Sequence, residues 1–121
     1  MTYNILVHIN NVLNDAGINY AYKRWNKEVT YPYWVGDGEE VEVTDEDGFH
    51  EYNFRLTGTT RGTWEKLESD KEIIENILNT TTILGDSGVV FSYAGTLSVP
   101  TDDVELKRIQ INIIIQEWRV N

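Results

Sequence analysis

Ile109-Gln110-Ile111-Asn112-Ile113-Ile114-Ile115-Gln116-Glu117-Trp118 is the stretch that decides the fold. The isoleucines at 109, 111, 113 and 115 alternate with Gln110 and Asn112, the period of two that a strand shows when one of its faces is buried. Ile114 and Trp118 fall on the opposite parity, which implies a bulge or a second contact surface. A strand this apolar needs cover, and two helical stripes elsewhere in the chain can supply it.

Ile5, Ile9, Val12 and Leu13 form the first stripe, with Thr2 or Asn4 to cap its start and Gly17 to end it. Trp64, Leu67, Ile74 and Leu78, joined by Ile73 and Ile77, form the second. If Ser69-x-x-Glu72 acts as a capping box, this second helix starts late, at Asp70, and leaves Trp64 and Leu67 in a preceding turn. Between the stripes, residues 18–25 alternate as a half-buried strand, with Ile18, Tyr20 and Tyr22 on one face. Tyr31-Pro32-Tyr33-Trp34-Val35 opens the next strand, its proline confined to an edge or a strand start. Val41 and Val43 continue it, Asp45-Glu46-Asp47-Gly48 has the composition of a hairpin turn, and His50, Tyr52, Phe54 and Leu56 supply the return. Gly85-Asp86-Ser87-Gly88 reads as a turn, residues 89–93 as a strand, and Pro100-Thr101-Asp102-Asp103 as a loop. The order lacks the repeated strand–helix crossover of a doubly wound sheet. The expectation is one α+β domain over residues 1–121, a mainly antiparallel sheet of four or five strands with both amphipathic helices packed on one face and the other face partly exposed.

Twenty acidic residues against ten basic ones give a formal charge of -10, so DNA meets a repelling surface. Apolar residues make up 40% of the chain, enough for a packed interior. Cysteine is absent, which fits a reducing compartment and removes thiolate zinc sites. No stretch reaches the roughly 20 apolar residues of a membrane span, and Ile5-Leu6-Val7 is too short for a signal peptide, so a soluble, unsecreted chain is expected. The sequon Asn79-Thr80-Thr81 is then a chance match.

Catalytic and ligand motifs do not assemble. The acidic turn lacks the ligand spacing of a calcium loop, and Asp37, Glu39, Glu40, Glu42 and Asp45 read as a solvated acidic run. His8 and His50 have no zinc-ligand partners in sequence. Ser69, Ser87, Ser92 and Ser98 stand in no nucleophile-elbow context. Gly36-x-Gly38 lies among carboxylates rather than ahead of a helix, so it is no phosphate loop. No cofactor and no enzymatic activity are expected.

What stands out is charge segregation. Between Glu28 and Phe54 there are nine carboxylates and no Lys or Arg, whereas Lys23, Arg24 and Lys27 cluster just before. Arg55 lies on the return strand and Arg61 precedes the second helix; either a solvated arginine or an intersubunit ion pair fits there. Tyr31, Tyr33 and Trp34, with Trp25, divide between core and interface roles, aromatic residues being enriched at the buried centres of interfaces. The candidate interface set is therefore Lys23, Arg24, Lys27, Tyr31, Tyr33, Trp34, Asp37, Glu39, Glu40, Glu42, Asp45, Arg55 and Arg61.

Four features together resemble the tail terminator, or tail-completion, proteins of long-tailed bacteriophages, which belong to the head-tail joining group. These are the short first helix closing at Ala16-Gly17-Ile18, the Tyr31-to-Val35 start of a long hairpin, the Thr59-Thr60-Arg61-Gly62 link into a Trp64 helix, and the apolar final strand. The resemblance covers nearly the whole chain and lies in order and texture rather than in a sharp motif. It implies a structural virion protein made in the bacterial cytoplasm, an α+β subunit of a ring, usually a hexamer. Such a ring caps the tail tube, docks to head-closure proteins and lets DNA pass without specific binding. Another neck, head-closure or minor capsid protein would look similar, and a monomeric acidic cytosolic binding protein that mimics nucleic acid is the alternative of a different class.

Overall fold

A computed structural model of the chain describes residues 2–41 and 48–119. The elements run α1 (Tyr3–Asp15), β1 (Tyr20–Tyr22), β2 (Tyr33–Val41), β3 (His50–Arg61), α2 (Glu65–Ile77), β4 (Thr81–Leu84), β5 (Ser87–Ser98) and β6 (Leu106–Arg119). The strands form one sheet in the order β1-β2-β3-β6-β5-β4. The α+β arrangement holds, but the sheet has six strands rather than four or five, and it is mixed: β1 pairs with β2 in parallel, and every other pair is antiparallel. The extra strand is β4, four residues with no apolar alternation to announce it.

The final strand lies at the centre of the sheet, flanked by β3 and β5, and its alternation is the axis of the core. Ile109, Ile111, Ile113 and Ile115 are all buried, together with Phe54 and Leu56 of β3, Val89 and Phe91 of β5, and Trp34 of β2. Ile5, Ile9 and Leu13 of α1 join the same cluster, as do Leu67, Ile74 and the adjoining Leu78 of α2. Both helices thus cover one face. Burying that many aliphatic side chains, each worth about 1.5–3 kcal/mol relative to exposure, is what holds the domain together.

Two glycines permit the closest packing. A Cβ on Gly58 would stand 2.6 Å from two atoms of the Trp34 ring, and one on Gly36 would stand 2.5 Å from the tip of Phe54. The backbone of β2 and β3 therefore lies flat beneath Trp34 and Phe54, two of the largest fully buried side chains.

α2 begins at Glu65, so the earlier of the two starts read from sequence is the observed one, and Ser69 and Glu72 lie inside the helix rather than capping it. β6 pairs with β3 through twelve consecutive residues without interruption, so Ile114 and Trp118 mark no bulge in that strand. They lie on the sheet's other face. The register shift occurs in β5, between Tyr93 and Thr96, where Gly95 takes the left-handed φ of 115°. Val43 and the expected hairpin turn at Asp45-Glu46-Asp47 lie outside the described residues.

Candidate interaction surface

The helices leave the second face of the sheet bare among the described residues. Register places its side chains in rows: Val35, Thr57, Gln110 and Leu97 in one; Asp37, Arg55 and Asn112 in the next; Glu39, Asn53, Ile114 and Ser92 in a third. The β2–β3 half is charged, and the β4–β5–β6 half carries Ile83, Val90, Leu97, Ile114 and Trp118 between polar amides. Ile83 is 63% exposed and Leu97 48%, high values for aliphatic side chains on a short edge of a sheet.

At the β2 edge the sequence-predicted residues converge. Residues 23–32 connect two parallel strands without a helix, turning at Lys23 with a φ of 70°. The loop folds toward the bare face, where the Trp25 ring meets Tyr33 at 5.0 Å between centroids and Tyr31 meets Tyr33 at 5.9 Å. The Lys27 ammonium lies 5.5 Å from the Trp25 ring centre, and the Arg61 guanidinium 5.9 Å from that of Tyr31. The Trp25 indole N–H donates to the Glu28 carbonyl at 3.2 Å, which locks the loop on itself. Cation–ring contacts of this kind are worth about 0.5–1 kcal/mol at exposed sites and leave the cationic heads accessible. The result is a cationic aromatic patch on a preformed loop.

Other members of the predicted set have different roles. Trp34 is fully buried, and its indole N–H donates to Asp70 Oδ2 at 3.2 Å, so it is a core residue and not an interface one. Arg55 pairs with Glu39 at 3.1 Å and Arg61 with Asp103 at 3.1 Å, so both arginines are matched inside the chain. Interaction with Tyr31 first and Asp103 second raises the pKa of Arg61, while the backbone N–H of Glu105 and then Arg61 lower that of Asp103. Glu40 Oε1 lies 3.3 Å from His50 Nδ1, and Asp37 Oδ1 accepts from the backbone N–H of Gly38. Glu42 and Asp45 lie outside the described residues. Lys23 donates its backbone N–H to the carbonyl of Gly36, which brings the basic loop and the acidic arm together on one edge of the sheet.

Two buried acids escaped the sequence reading. Glu117 accepts from the Tyr52 hydroxyl at 3.3 Å and the Thr2 hydroxyl at 3.4 Å, and burial followed by the charge of Glu117 pushes Tyr52 up to about 12. Asp70 is buried under Trp34, and desolvation raises its pKa despite the indole hydrogen bond. A carboxyl whose folded pKa is raised contributes stability that is fully present below its unfolded pKa and is lost as pH rises through the folded pKa. Asp70→Asn, which keeps an acceptor for the indole, should therefore remove that share of the acid-side slope and be at least as stable as the parent at neutral pH. Asp70→Ala, which strands the indole N–H, should cost about 1–3 kcal/mol. Urea titrations from pH 4 to 8 measure both, and an Asp70→Asn variant with the parent's slope would show that the carboxyl is not strained.

Among the described residues no three His, Asp or Glu side chains converge as a metal-ligand set, and no helix is long and apolar enough to cross a membrane. No family model matches the chain, and no curated protein matches it.

Proposed function

We propose that this chain is a structural virion subunit of the tail-terminator kind, which assembles with copies of itself into a ring, usually of six in that family, at the end of a phage tail tube. The observation that supports it most is the division of the surface. One side of the sheet is closed by helices over a complete core, and the other is bare, with a cationic aromatic loop at one edge and exposed aliphatic residues at the opposite edge. Different patches at opposite edges are what a head-to-tail contact requires, and such contacts close into rings when the rotation allows.

The remaining roles follow from charge. A ring of subunits with net charge -10 repels phosphates over a Debye length of about 8–10 Å, which suits passage of DNA without adhesion. Its docking partners are then tail-tube and head-closure proteins. Incubation with tail tubes of the same phage, followed by negative-stain electron microscopy, should show one added ring at a tube end. Tube ends that stay bare, with the protein still monomeric, would contradict the assignment.

A further inference from the structure

The outer edges of the sheet are stepped in opposite senses. β1 covers β2 only from Trp34 to Gly36, and the register across β3 and β6 puts those residues level with Ser98 and Thr96 of β5. β4 covers β5 only from Ser87 to Val90, and Val90 is level with Val41 of β2. The Thr80 carbonyl and Asn79 side chain extend that cover to the N–H groups of Phe91 and Tyr93, so residues 94–98 form the open part of the β5 edge. β1 thus stands at the level where the β5 edge is open.

Polarity and protection agree with this fit. β1 runs with β2, and three antiparallel pairings separate β2 from β5, so β1 and β5 run in opposite directions. A neighbour set alongside at the same level would add an antiparallel pair. The open part of β2, residues 37–41, is guarded by Asp37, Glu39 and Glu40, a common device against edge pairing. Residues 94–98 of β5, Ala-Gly-Thr-Leu-Ser, carry no charge at all.

The side chains match as well. The loop after β1 brings Lys23, Arg24 and Lys27 against a single Glu28, together with exposed Val29 and Tyr31. Residues 94–98 offer exposed Leu97 on the bare face, in the row of Val35 and therefore of Ala21 of β1.

We infer that the two edges are the two halves of one head-to-tail contact between copies of this chain: β1 and its basic aromatic loop on one copy seat along residues 94–98 of β5 on the next. The inference rests on the ring reading and names its interface. It also redirects the charge pairing, because the acidic arm shares an edge with the basic loop, and joining those two patches reciprocally would give a two-fold dimer rather than a ring.

The cysteine-free chain makes the test direct. Ala21→Cys and Leu97→Cys, each with a melting curve like the parent's, are mixed and treated with a short bismaleimide at a concentration where the parent assembles. The mixture should give cross-linked dimers, each variant alone should not, and a chain carrying both substitutions should give a ladder ending in a closed ring. Cross-linking of either variant with itself, or none in the mixture, would overturn the contact. Parent rings without a mixed cross-link would overturn the contact alone; a ladder that grows without closing would overturn only the ring. A strictly monomeric parent that never cross-links overturns both. Leu97→Arg gives an independent measure: sedimentation should show assembly lost while the melting temperature is kept, and assembly equal to the parent's would contradict the inference.

Discussion

Trp34→Ala should cost about 3–5 kcal/mol of unfolding free energy, the range for deleting a large buried aromatic side chain. The ring is fully buried, Gly58 lies flat beneath it, and its indole N–H is the donor for buried Asp70. Truncation therefore opens a cavity and leaves a desolvated carboxyl without its hydrogen bond, two penalties that reinforce each other. Trp34→Phe fills most of the volume and loses only the donor, so it should fall well below that cost. The difference between the two variants measured by urea denaturation separates packing from hydrogen bonding. A Trp34→Ala cost below about 1 kcal/mol would place the ring at the surface and restore it to the interface.

The second large effect belongs to the final strand. Ile111 is fully buried, opposite Leu56 on one side and Thr96 on the other, and Ile111→Ala should cost about 2–5 kcal/mol. Ile114, three residues on and on the bare face, should cost much less when truncated, because nothing but its sheet neighbours is lost. Equal costs at the two positions in chemical denaturation would mean that the second face is covered within the monomer. A change under about half a kcal/mol at Ile111 would invert the sheet.

The final strand was legible because its periodicity is set by burial on one side only, and the same parity held the clue to Glu117, which falls on the isoleucine face. The signal for Asp70 was similar: it sits between Leu67 and Ile74 at helical spacing, on the buried stripe. Trp34 was misplaced because a run of β-formers was read as a unit, although alternation puts Trp34 opposite Tyr33 and Val35. β4 and the parallel β1–β2 pairing were not legible. Four residues carry too little pattern, and a parallel neighbour reached through a loop leaves no local trace in sequence. The cationic aromatic loop could be composed from sequence but not placed, since its position depends on the turn at Lys23 and the stacking of Trp25 on Tyr33. Its location on the same edge as the acidic arm is a property of the fold alone.

The proposed assembly into a closed ring can be tested on the purified chain. Sedimentation equilibrium over a wide concentration range, with the particles imaged at its upper end, tests that most directly. The expected result is a discrete species of about six times the 14.0 kDa chain, seen end-on as a ring with a central hole. A 14.0 kDa monomer at every concentration, or a two-fold dimer that grows no further, would contradict it.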